Sequence, residues 1–292
     1  MKKKPILFWS LIACLLLSAL LHMQIAAAPD QETPAQPQAP AAPPPCLGKF
    51  ASHGEAESFL TDADIVQSRS IPRGVAAPQK LTLEKDGRQE FAVFKSIDEH
   101  RPGITQLPTG PEVDFKDSWK YEVAAYEVDK LLGLNMIPPT VERVHNSRRG
   151  SLQLWIDGCM SEAERTAKKL SPPGPMAWRQ QIFKARAFDS LIYNIDRVNI
   201  NNLLITPDWK VILIDHSRSF KNVGDLRFPK DLTFFSKSLM GSLRGLEEKA
   251  LQEHCGKWLT IYEIRLMLQR RDKILRLYDQ AVAENKPGVM YP

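Results

Sequence analysis

The stretch that decides the fold is Ala187–Phe220, AFDSLIYNIDRVNINNLLITPDWKVILIDHSRSF. It opens with helical character and passes into a polar turn, Asp196-Arg197-Val198-Asn199-Ile200-Asn201. Two apolar strands follow, Asn202–Thr206 and Val211–Ile214, joined through Pro207-Asp208-Trp209, and Asp215 closes the second. An Asp, an Asn five residues later, a short hairpin and a second Asp is a layout that phosphoryl transfer needs. Asp196 would accept or orient the acceptor's proton. Asn201 and Asp215 would hold the divalent metal that bridges the nucleotide phosphates, and their oxygen donors suit Mg²⁺ or Mn²⁺. Asp-Arg and Asn-Asn pairs also serve as ordinary turn residues, and an Asp often ends a strand. The motif therefore needs support from upstream.

From Asp64 to Ser96 the signals are those of strands. Leu81-Thr82-Leu83 and Phe91-Ala92-Val93-Phe94 flank Asp86-Gly87, a strong hairpin pair. Lys95 closes the second strand on the face of Phe91 and Val93. It either snorkels to water or holds nucleotide phosphates. Gly74 is a candidate for a phosphate-covering loop. The spacing predicts a helix over Lys116–Leu134, with Ala124, Val128, Leu131 and Leu132 as its apolar stripe and Gly133 as its stop. Glu122 and Asp129 fall opposite the stripe. Glu122 is either a solvated face residue or the carboxylate that pairs with Lys95 or joins the metal.

Strands are expected at Thr140–His145 and Ser151–Asp157, and a mostly helical remainder from Gly158. Leu239–Gly256 reads as helical. Thr260-Ile261-Tyr262-Glu263 is a capping box opening a last helix. Arg265, Arg270, Arg271, Lys273 and Arg276 read as its solvated flank. The fold class expected is α+β, two-lobed, with a β-rich N-lobe holding one helix and a mostly helical C-lobe.

The net charge of +5 rests largely on Lys2, Lys3 and Lys4. Without them it falls to about +2, too weak a field to argue for nucleic acid. These lysines precede an apolar run, Pro5–Ala28, interrupted by Ser10, Ser18, His22 and Gln24. The pattern is that of a signal peptide or an uncleaved signal anchor over 1–28. An exported location follows (periplasmic, secreted or in the secretory-pathway lumen), with membrane association through residues 5–28 if the run is retained. Residues 29–45, rich in Pro, Ala and Gln, read as a disordered tether. Lobes over 46–157 and 158–292 would follow.

Cys46, Cys159 and Cys255 give no disulfide framework. A Cys159–Cys255 bridge is permitted in an oxidising compartment, and buried free thiols fit equally well. His-Glu-x-x-His, Cys-x-x-Cys and Gly-x-Ser-x-Gly motifs are missing from the sequence, which argues against the usual zinc proteases and serine hydrolases.

Four segments in order resemble the secretory-pathway kinases, the family of the Golgi casein kinase, the glycosaminoglycan xylose kinase and the four-jointed type. They are Phe94-Lys95, Glu122–Gly133 followed by Ile137-Pro138-Pro139-Thr140, Asn194-Ile195-Asp196-Arg197, and Ile214–Phe220. The resemblance spans roughly residues 70–225 and implies a divergent protein-kinase-like fold binding ATP and Mg²⁺ or Mn²⁺. It implies Lys95 for the phosphates, Glu122 for the lysine or metal, Asp196 as catalytic Asp and Asp215 as metal ligand. Asn201 departs from that family but is similar to the Asp-x-x-x-x-Asn of phosphoinositide-type and HipA-type kinases. Ser217 and Ser219 stand where the family has glycines. The expected function is γ-phosphoryl transfer to a protein hydroxyl, or to a glycan. A binding module without turnover and an AMP transferase are the alternatives on the same fold.

Overall fold

The computed structural model describes residues 42–71, 78–108, 110–284 and 290–292. They belong to one compact unit, Ala42–Pro292. The apolar run 5–28, most of the Pro-rich segment and Gly74 lie outside the described residues. Among those described, no helix is long and apolar enough to cross a membrane.

The first helix is one the sequence patterns did not announce, α1 (His53–Asp62). Ser52 caps it by accepting the Glu55 backbone N–H at 3.2 Å. Its buried stripe is only Ala56, Phe59 and Leu60. Then come β1 (Asp64–Ser70), β2 (Gln79–Lys85) and β3 (Arg88–Lys95). Asp86 and Gly87 take φ of 51° and 75°, the left-handed pair that a two-residue hairpin turn requires. A second antiparallel ribbon, β4 (Asp98–Leu107) and β5 (Gly110–Ser118), stands apart from the main sheet.

The next helix, α2 (Trp119–Leu132), starts later than expected because Lys116–Ser118 finish β5, and Ser118 caps it through Lys120 N at 3.2 Å. The strands β6 (Thr140–His145) and β7 (Arg148–Leu154) complete a five-stranded sheet in the order β1-β2-β3-β7-β6. Asn146 and Ser147 both have positive φ, so the turn is short and β7 begins at Arg148, not Ser151.

Beyond Gly158 come β8 (Met160–Ser161), α3 (Glu162–Ala167), α4 (Pro175–Ile192), β9 (Leu203–Ile205), β10 (Val211–Leu213) and β11 (Phe235–Ser236). The chain continues through α5 (Lys237–Arg244), α6 (Glu248–Cys255), α7 (Ile261–Ala283) and β12 (Met290–Tyr291). The expected single helix over 239–256 is thus two, parted at Gly245–Glu247. The fold is α+β, with a β-rich region followed by a helical one, and the β-rich region carries two helices where one was expected.

Burial explains the arrangement. One cluster packs α1 against the sheet through Phe59, Leu60, Leu81, Leu83, Phe94 and Leu152. The larger cluster joins α2 to α4, α7 and the β9–β10 hairpin through Ala124, Val128, Leu191, Leu213 and Ile264. Helix α2 sends its clustered apolar residues into the larger core and also packs on β6 and β7, so it touches both regions. Its polar residues are not solvated. Asp129 is fully buried and accepts the Met136 backbone N–H at 3.1 Å, fixing the turn after the helix. Burial pushes its carboxyl up to about 7, against the backbone N–H groups of Met136, Ile137 and Asn135.

Arg270, expected on a solvated flank, is fully buried. It donates to the carbonyls of Leu191 at 2.7 Å and Val223, tying α7 to the segment beyond Phe220. Cys46, Cys159 and Cys255 are free thiols. Cys46 and Cys255 lie in different cores, which rules them out as partners for one another.

Candidate active site

Along β3, Glu90, Ala92 and Phe94 face the α1 core, while Phe91, Val93 and Lys95 take the opposite face. Register places Lys80 and Gln153 beside Val93, and Ser151 beside Lys95. The Lys80 ammonium lies 3.7 Å from the Trp155 ring centroid and 4.3 Å from that of Phe91.

At the end of this face Lys95 donates to Glu122 Oε1 at 2.6 Å and to Asp215 Oδ1 at 2.7 Å. Residues from β3, α2 and the end of the β9–β10 hairpin thus meet on one ammonium. Burial works against that ammonium, but Glu122 and Asp215 outweigh it and hold the amine above its ordinary pKa. Burial likewise works to raise the Glu122 carboxyl, and Lys95 and then His216 hold it well below the usual range. The other Glu122 oxygen accepts the His216 backbone N–H at 2.9 Å.

His216 is fully buried, and burial lowers its pKa. Arg197 Nη2 lies 3.0 Å from His216 Nε2, so Nε2 is the acceptor and the neutral ring carries its proton on Nδ1, which lies 3.7 Å from Glu122 Oε2 without a hydrogen bond. Arg197 also pairs with Asp189 at 2.9 Å and donates to the carbonyls of Asn202 and Ile214. It locks the Asp196 turn to the Asp215 loop.

Asp196 opens a short 3₁₀ turn, Asp196–Val198. Its carboxyl is raised, first by burial and then by Asp215. The Asn expected five residues on does not join it: Asn201 is exposed and donates to Asn199 Oδ1 at 3.0 Å. Its neighbour Asn202 is buried and donates to Asp196 Oδ2 at 2.8 Å. The reason is local. Asn202 is the last residue before β9 and turns inward, while Asn201 sits on the outer side of the preceding 3₁₀ turn, Ile200–Asn202. An Asn-Asn pair carries no signal in the sequence to say which member points in.

The ribbon, missed by the sequence reading, reaches the same loop. Glu112 on β5 takes Arg218, and Lys221 at 2.6 Å. Asp117, also on β5, is buried, and burial, followed in smaller part by Asp215, raises its carboxyl.

The donor set is carboxylate and amide oxygen, which fits a hard divalent cation. Among the described residues no group of three His, Cys, Asp or Glu side chains is gathered to hold a metal unaided.

No known family model matches the sequence. No curated protein matches it either. Solved structures do. Hydra Fam20 with sugar matches at a TM-score of 0.60 and 15% identity, over 82% of this chain and 91% of that one. The Golgi casein kinase matches at 0.60 and 14%, over 84% and 79%. The Helicobacter pylori proinflammatory kinase CtkA matches at 0.52 and 11%, over 78% and 98%. The chain has a kinase-like fold. At these identities the likeness is one of architecture. On that architecture, the kinase-like fold brings Lys95, Glu122 and Asp215 together, with Asp196 and Asn202 alongside.

Proposed function

We propose that this chain is an exported ATP-dependent phosphotransferase, moving the γ-phosphoryl group to a protein hydroxyl, with a glycan hydroxyl as the second acceptor class. The observation that carries the reading is the Lys95 ammonium bridging Glu122 and Asp215, with Asp196 close enough to feel the Asp215 charge. A cation fixed at the end of a sheet face, against two carboxylates from different elements, is a preorganised seat for phosphate oxygens. We read residues 46–157 and 158–292 as two lobes around it. Residues 1–28 are read as the export signal or anchor, and 29–45 as the tether.

Lys95 would bind the phosphates and Glu122 would hold Lys95 in place. Arg197 and His216 fix Glu122 and the Asp215 loop behind it. Asp215, with Asn202 and with Glu122 beside it, would hold Mg²⁺ or Mn²⁺, which supplies charge neutralisation on the phosphates. The acceptor oxygen bonds to the γ-phosphorus as the bond to the β–γ bridging oxygen breaks and ADP leaves. The acceptor's proton passes to Asp196, whose raised pKa suits a proton acceptor. A groove of about 400 Å³, lined by Tyr193, Ile195, Lys221 and Arg227 with Glu112 and Val113 of the ribbon, would give the acceptor its approach, Ile195 being the residue before Asp196.

The test is transfer from ATP labelled at the γ or the α phosphate, with Mn²⁺ or Mg²⁺ and mixed acceptors. Transfer of γ label, lost in Asp215→Ala and Asp196→Ala, is expected. Transfer of α label would replace the reading with AMP transfer. Nucleotide binding without transfer would replace it with a binding module.

A further inference from the structure

We propose that Asp117 is a further ligand of the divalent cation that Asp215 would hold, closing the cation site from the ribbon side. The proposal rests on the phosphotransferase reading and extends its metal site to a residue outside the matching segments.

Asp117 is only 9% exposed, and its Oδ1 is fully buried without a hydrogen-bond partner. A buried carboxylate oxygen facing no donor is costly, and a bound cation is one of the groups that resolves it in folded proteins. Its position is not accidental. The next residue, Ser118, donates its backbone N–H to the Ser217 carbonyl at 3.0 Å, pinning the end of β5 against the Asp215 loop. The charges that act on Asp117 are those of Arg218, Asp215 and Lys95, alongside the Ser217 hydroxyl.

The two nearby cations are already committed. Lys95 bonds Glu122 and Asp215. Arg218 bonds Glu112 and lies 4.5 Å from the Phe115 ring centroid, and its own buried Nε is unpartnered. Glu122 and Asp215 share one ammonium, and Asp117 feels the Asp215 and Lys95 charges with no ammonium of its own, so a divalent cation is the group whose charge and oxygen preference suit the excess. Two carboxylates completed by phosphate oxygens and water form a common Mg²⁺ or Mn²⁺ arrangement. This accounts for a site that the protein's own side chains leave incomplete.

The test uses the full chain and Mn²⁺ as the probe, following the free-ion signal by electron paramagnetic resonance with and without ADP. Asp117→Asn keeps the shape and can still accept from Ser217, so a merely structural role would leave Mn²⁺ affinity unchanged. We expect Asp117→Asn to weaken Mn²⁺ binding by about tenfold or more, a loss of the size that outer and inner carboxylates of metal sites show. Without metal the variant should melt at or above the wild type, since it removes a buried charge, and Mn²⁺ should no longer raise its melting temperature. Ser217→Ala should leave Mn²⁺ affinity in place. Wild-type affinity in Asp117→Asn, alongside loss in Asp215→Ala, overturns the proposal and leaves the phosphotransferase reading intact. Failure of the wild type to bind Mn²⁺ with ADP overturns both.

Discussion

Replacing Lys95 by Met tests whether the meeting of β3, α2 and the Asp215 loop is held by charge. Lys95→Met keeps an unbranched stem of similar reach but leaves Glu122, whose side chain is 2% exposed, without its ammonium. Breaking a buried pair from one side costs about 3–5 kcal/mol. Asp215, at 35% side-chain exposure, rehydrates cheaply, and Glu122 keeps the His216 N–H, so the lower end applies, about 3 kcal/mol. In a domain of this size that lowers Tm by roughly 6–12 °C. Glu122→Gln leaves Lys95 bonded to Asp215 and an amide oxygen for the His216 N–H, so it costs less, about 1–2 kcal/mol. The double variant strands no buried charge and should be more stable than Lys95→Met alone. Urea melts at pH 7 measure all three. In the wild type the Glu122 contribution is complete above the ordinary carboxyl pKa of 4.5 and fades as pH falls toward its depressed folded value. In Lys95→Met acidification should instead recover stability, because protonation removes the stranded charge. A cost under about 1 kcal/mol for Lys95→Met, with additive singles, would refute the reasoning.

Two further outcomes separate residues that the sequence cannot. Asn202→Ala should cut γ-phosphoryl transfer by about 10²-fold or more, through loss of the Asp196 contact, while Asn201→Ala stays within about twofold in the same assay. Asp129, raised by burial to about 7, keeps its proton in the folded state between about pH 4 and 7, where the unfolded chain has lost it. Stability should therefore fall as pH rises through that window and level off above it, and thermal melts of Asp129→Asn should lose the slope.

What was legible in the sequence follows local chemistry. Asp86-Gly87 names its own turn because few pairs tolerate two positive φ values, and Thr260 with Glu263 forms the reciprocal cap its spacing predicts. What was not legible depends on packing. The β4–β5 ribbon has too few buried positions to alternate visibly, so it left no period-two signal. Arg270 looked like its charged neighbours because a run of Arg and Lys does not reveal which member turns inward to carbonyls. Glu122 and Asp129 fall opposite the apolar stripe of α2, where a helix is usually solvated, whereas this helix is buried on nearly every side.

The serines at 217 and 219 make the same point at the site itself. Glycines in a metal loop matter where the backbone must take positive φ. Here the left-handed positions fall on Asp215, at 62°, and Phe220, at 56°, and neither serine adopts one. An Asp tolerates that conformation, and Phe220 is held in it by full burial and by its N–H to the Ile192 carbonyl at 2.7 Å. Ser217 instead offers its carbonyl to Ser118, and the Ser219 N–H closes onto the His216 carbonyl at 3.0 Å. The loop is therefore shaped by backbone bonds that do not require a glycine at 217 or 219. The two serines do not by themselves argue against a working cation site. On the proposed reading, the residues whose loss would disable it are Asp215, Lys95 and Glu122.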